Sequence, residues 1–375
     1  MKNGSRIFEL YGYPVDDWSS EAMDNLRHCR CPFMNEECDG GGNRFSSAVI
    51  LSEGHPLKSV FPDKPSVQSG VCSLLLHDSE QPWIVCPRRL LNYRCGVEKE
   101  RQMDVKRMLC EKSGLTEGVR YSVWSEVKMK CQIVDGGKTG HFDYTFDYVI
   151  TGRTRKSLEQ ICDIFGCSQS KAANMLAKNG FTTCRMNGAL YCEDFPALPL
   201  VIVEVMTSST SGGNKRDRTQ IAQLFEDTVL KLNGVATEPA GPGINYRQVW
   251  ARMVSQLLVK CQIGKAWGGS TFWVVQDLLA KYISETTALN FSDFLAQHRD
   301  EVNVISGGYG DDAMPLRRKE NIAEIRDVKF YSGKVAPASD ESKTFSDIIK
   351  LGVLPPRSEL LKKLLQKKPC ATFVF

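Results

Sequence analysis

The stretch LPLVIVEVMT, residues 198–207, sets the fold class. Its apolar, β-branched run reads as a central strand of an α/β core, with one acid, Glu204, embedded near its end. A carboxylate buried without a partner costs several kcal/mol, so Glu204 calls for a counter-charge or a metal. Downstream, RTQIAQLFEDTVLKL (218–232) reads as an amphipathic helix with Ile221, Leu224, Phe225 and Leu230 on or near one face. INYRQVWARMVSQLLVKCQIGK (244–265) reads as a second helix, and STFWVVQDLLAKYI (270–283) as a strand passing into a helix.

Upstream, YTFDYVI (144–150) alternates as a short strand and presents Asp147. Two neighbouring strands with one acid each are suited to hold a divalent cation, as metal-assisted phosphodiester hydrolysis requires. The alternative is that Glu204 pairs with a buried Arg or Lys and Asp147 merely ends its strand. The common nuclease signature places Lys two residues after the second acid, where this chain has Met206. Strand alternation keeps Met206 on the face of Glu204, but a thioether cannot orient or deprotonate water. Glu126, Lys128 and Lys130 in SEVKMK, or Gln220 and Gln223, are candidate surrogates.

Between the acids, residues 157–181 (SLEQICDIFGCSQSKAANMLAKNGF) read as two short helices joined at Gly166, capped by Ser157 and Ser168. TTCRMNGALYCEDF (182–195) follows, with Asn187-Gly188 as a hairpin turn. Together they resemble a helix-turn-helix with a small wing, whose second helix would present Gln169, Ser170, Lys171 and Asn174 to DNA. Lys178 and Arg185 would add backbone contacts, and Lys215 and Arg216 in SGGNKRDR (211–218) would touch phosphate. The alternative is a structural helical hairpin. The basic tail LLKKLLQKK (360–368) reads as an amphipathic helix with a solvated face.

Among 14 cysteines, Cys31, Cys38, Cys72 and Cys86 form two loosely spaced pairs near the N-terminus. In a large chain opening on the polar MKNGSRIFEL, with no apolar run of membrane-spanning length, the expectation is a cytoplasmic protein with reduced thiols. Four thiolates fit one iron or Zn²⁺, Cys29 and Cys95 are alternative members, and unrelated buried thiols are the bland reading. The net charge of +4 over 375 residues permits a polyanionic partner without demanding one.

IFELYGYPV, CRCPF, GVC, WIVCPRRLL, FDYVI, VIVEV and INYRQVWARMVSQLLVK occur in this order, and as an ordered set they resemble the NotI family of type II restriction endonucleases. The resemblance implies a PD-(D/E)xK restriction-endonuclease-like mixed sheet flanked by helices, with an N-terminal four-cysteine iron site and Mg²⁺-dependent cleavage. It implies a homodimer on palindromic, GC-rich double-stranded DNA, in a bacterial or archaeal host that also carries a protecting methyltransferase. It places Asp147 and Glu204 as catalytic Mg²⁺ ligands, Glu126 as a further acid, and Cys31, Cys38, Cys72 and Cys86 as iron ligands. At Met206 the family has Gln, and the helix-turn-helix stands as an insertion. The expected organisation is a cysteine region at 1–95, a nuclease core at 96–151 and 197–310, the inserted unit at 152–196 and a C-terminal extension at 311–375. A DNA-binding regulator without chemistry, or a repair or homing-type nuclease, are the competing functions.

Overall fold

The computed structural model describes residues 4–41, 48–93, 100–135, 138–210, 220–237, 239, 241–286, 302–309, 325–333 and 353–375. Lys215, Arg216 and Cys95 lie outside them.

The N-terminal part builds a four-stranded sheet in the order β2-β1-β3-β4, from β1 (Ser5–Leu10), β2 (Tyr13–Pro14), β3 (Val71–Leu76) and β4 (Trp83–Ile84). Helix α1 (Ser20–His28) is capped by the Ser19 hydroxyl, which accepts from the Ala22 N–H. A short helix, α2 (Pro87–Leu90), follows β4, and α3 (Glu100–Ser113) leads into the main sheet.

The main sheet has eight strands: β5 (Arg120–Asp135), β6 (Lys138–Ser157), β7 (Thr183–Met186), β8 (Ala189–Met206), β9 (Ser270–Gln276), β10 (Val302–Tyr309), β11 (Ile325–Gly333) and β12 (Ala371–Val374). Its order is β11-β10-β9-β8-β6-β5-β12, with β7 pairing β8. It is mixed: β8, β9 and β10 run parallel, while β6 lies antiparallel to both β8 and β5. The quoted stretch belongs to the central strand β8, whose residues 200–205 are all buried, as an apolar run covered on both faces requires.

Alternation along β8 divides the core. Val201, Val203 and Val205 pack with Tyr148, Ile150 and Phe272 on one face, while Leu200 and Ile202 pack with Phe146, Val149 and Ile263 on the other. The second face is covered by α7 (Tyr246–Ala266) and α9 (Arg357–Leu365). Helix α6 (Gln220–Leu232) packs Ile221, Leu224 and Phe225 into the N-terminal sheet beside Leu10, Tyr11 and Leu74. Helix α8 (Asp277–Thr286) closes the edge near β10. No helix among the described residues is long and apolar enough to cross a membrane.

Residues 157–195 leave the sheet and return to it. Helix α4 (Leu158–Phe165) opens with a reciprocal capping box between Ser157 and Gln160. Gly166, at φ 60°, supplies the left-handed residue that ends it, and α5 (Gln169–Lys178) follows. Asn187 and Gly188 both have positive φ, 50° and 80°, as a two-residue hairpin turn with right-twisted strands demands. Leu158, Ile161, Ala172 and Leu176 bury their apolar face against Leu360 and Leu364 of α9.

Candidate active site

The ladder between β6 and β5 is irregular at one point. Phe146 pairs with Val127 and Tyr148 with Ser125, so the register is kept while Asp147 and Glu126, opposite each other, are left out of the pairing. Glu126 has φ 48°, a left-handed conformation that is strained for a side-chain-bearing residue. Lys367, just past α9, donates to the carbonyls of Ser125 (2.5 Å) and Glu126 (3.1 Å) and so holds this break in the pairing. Arg88 reaches the Glu126 carboxylate (3.4 Å), Asp39 (3.2 Å) and the Tyr148 hydroxyl (3.3 Å).

On the neighbouring strand the register pairs Tyr148 with Val203, which brings Glu204 beside Asp147. Asp147 accepts from the Val205 N–H at 2.9 Å. Glu204, 3% exposed, accepts from the ammonium of Lys260 on α7, which also donates to the Thr145 carbonyl at 2.7 Å. Lys260 stands 5.6 Å from the centre of the Phe146 ring. The other Glu204 oxygen, Oε1, is buried with no hydrogen-bond partner. Asp147, Glu204, Glu126 and Lys260 line one cavity of about 610 Å³, together with Arg252 and Gln256. Val249, Arg252, Gln256 and Lys260 fall three or four residues apart along α7, so one stripe of that helix walls the cavity.

Burial and the adjacent Asp147 push the Glu204 carboxyl up to about 8, against the pull of Lys260. Burial likewise raises Asp147, opposed by Lys260, the Val205 N–H and Arg88. A carboxyl that ionises only near pH 8, beside a second acid, a fixed ammonium and an open cavity, can accept a proton from water once it is ionised.

Sequence reasoning places Asp147, Glu204 and Glu126 together, and the structure brings all three to the cavity. Met206 also lines it but packs its side chain toward the Met253–Trp273 cluster. Lys260 was not among the expected residues. Its signal is a charged residue at the helical spacing of buried Met253, Leu257 and Gly264. The partner for Glu204 is therefore a buried lysine, the alternative left open by the sequence.

The cysteine expectation needs a larger correction. Cys31, Cys72 and Cys86 are buried with Phe33 and Met34, and Cys38 packs against them. Burial pushes the Cys31 thiol up to about 12, and burial also raises Cys38. Cys72 is raised by its hydrogen bond to Cys86 and by burial, and that same bond lowers Cys86. Among the described residues no group of three or more His, Cys, Asp or Glu is arranged to hold a metal ion. Buried thiols packed on Phe33 and Met34, three of them raised by their surroundings, behave as small apolar core residues. The four-cysteine iron or zinc site is thus not upheld. Nor is the Mg²⁺ site at Asp147 and Glu204, where Lys260 occupies the position of the counter-cation.

The chain matches no protein-family model and no curated protein. With no metal-holding group among the described residues, the resemblance to the NotI family is overturned, and so is a PD-(D/E)xK core carrying a four-cysteine region. What stands is a mixed β-sheet flanked by helices, an α/β fold.

On α5, Gln169, Ser170, Lys171 and Asn174 are all exposed, as are Lys178 and, on the hairpin, Arg185. Ala172 and Leu176 face inward, so the polar stripe of α5 points away from the core.

Proposed function

We propose that this protein hydrolyses phosphodiester bonds of double-stranded DNA, cutting at a site that its helix-turn-helix unit helps to select. The observation that carries this reading is the trio Asp147, Glu204 and Lys260 on the wall of a cavity of about 610 Å³. In this reading the Asp147–Glu204 pair accepts a proton from the attacking water, with the unpartnered Glu204 Oε1 as the open acceptor. Lys260 stabilises the negative charge that builds on the phosphoryl oxygens, and Arg252 steers the backbone into the cavity. Glu126, held by Arg88 and by Lys367 on its backbone, positions the water. Helix α5 lies in the major groove, with Lys171 and Asn174 reaching base edges or phosphates.

The second reading is a sequence-specific DNA-binding regulator without chemistry, favoured by the exposed polar stripe of α5. Incubating the protein with supercoiled plasmid, in buffers with and without added divalent salt, separates the two. Discrete linear fragments support the hydrolase, retarded but intact plasmid supports the regulator, and neither result refutes both.

A further inference from the structure

The turn between α4 and α5 carries two cysteines, neither of which takes part in the proposed chemistry. Gly166 N–H donates to the Cys162 carbonyl at 2.7 Å, and Cys167 N–H donates to the same carbonyl at 3.3 Å. The second bond spans six residues and, with the left-handed Gly166, closes the helix end as a Schellman turn. In that turn the side chains four residues before and one after the left-handed position lie on the same side, here Cys162 and Cys167. Both side chains pack against the same apolar cluster of Leu158, Ile161, Ala172 and Leu176. Both are free and only partly buried, unlike Cys31, Cys72 and Cys86. The 3.3 Å backbone hydrogen bond holds the two residues close together, and a disulfide would need their Cα atoms about 4.4–6.8 Å apart.

We propose that Cys162 and Cys167 form a redox-modification site that closes to an intramolecular disulfide on reaction with a small-molecule disulfide. One thiol, as its thiolate, attacks the reagent, forming a mixed disulfide and expelling one reagent thiolate. The second thiol loses its proton and attacks the mixed disulfide, expelling the other half. The protein gives up two electrons and two protons, and the reagent is reduced to two thiols. The closed bond staples the end of α4 to the residue before the Ser168 cap of α5, fixing the angle at which α5 is presented.

The probe is bis(2-hydroxyethyl) disulfide, which is uncharged and so is not repelled by Glu159 and Asp163 beside Cys162. Intact protein is treated with it, remaining thiols are alkylated, and peptides are mapped by mass. The expected result is a peptide in which Cys162 and Cys167 are joined, two hydrogens lighter and restored by dithiothreitol. In Cys162→Ser the expected product at Cys167 is a stable mixed adduct instead. Recovery of both cysteines alkylated after other cysteines have reacted, or separate mixed adducts at both, would overturn the proposal.

Discussion

At the scale of single residues, the pair Glu204–Lys260 sets the behaviour of the site. Glu204 is held up to about 8 in the folded chain, whereas an exposed glutamate titrates near 4.5. Between those values the folded protein keeps a proton that the unfolded chain releases, so this group's contribution to stability falls as pH rises through that window. By pH 7 the loss is on the order of 3 kcal/mol. Glu204→Gln, which stays neutral, is therefore expected to melt above the parent at pH 8 but not at pH 5; equal shifts at both, measured by calorimetry, would contradict this. Removal of Lys260 acts in the opposite sense. Lys260→Met is expected to cost about 1–3 kcal/mol, as loss of a buried bond to a charged group does, and to cost more at pH 9 than at pH 6. Denaturant melts at the two pH values measure it. In the proposed reaction the ionised pair accepts the proton, so cleavage is expected to rise about tenfold per pH unit below 8 and to level off above it.

At the scale of elements, β6 and β8 were legible from sequence because apolar alternation and a buried acid are local signals. Their antiparallel pairing then brings Asp147 and Glu204 together. Lys260 was hidden because it comes from α7, and only tertiary packing turns that stripe toward Glu204. The cysteines were misread for a related reason. Their clustering is present, but they are buried among Phe33 and Met34 in no metal-holding arrangement among the described residues, which spacing does not encode. The break in pairing at Glu126 has no sequence signal, since its left-handed φ falls on a residue that disfavours it. In the helix-turn-helix unit the capping and turn residues were readable one by one. Gly166→Ala, at φ 60°, is expected to destabilise the protein by about 1 kcal/mol, measured by urea melts. Lys171→Ala with Asn174→Ala is expected to weaken DNA binding about tenfold without changing the melting temperature. Unchanged affinity in gel retardation would remove α5 from the interface.

At the scale of the whole molecule, the two sheets are tied by a buried polar knot. Glu9, with no exposed surface, accepts from Arg89 at 3.2 Å, Ser73 at 2.9 Å and Tyr309 at 2.5 Å. The first three residues belong to the N-terminal part and Tyr309 ends β10 of the main sheet, so the knot spans both. Arg89→Met would leave Glu9 buried without its cation, and a loss of about 3–5 kcal/mol is expected by equilibrium unfolding. Arg88, next in the chain, carries the same coupling to the site by joining Asp39 to Glu126. The N-terminal sheet is thus part of the support of the cavity.

The most direct test of the central claim compares the parent protein with Glu204→Gln on supercoiled plasmid, following both cleavage and retention on a gel. The account predicts discrete fragments from the parent, a rate at least about 100-fold lower for the variant, and DNA binding by both. Cleavage by the variant at the parental rate, or binding without cleavage by the parent in every buffer, would contradict it.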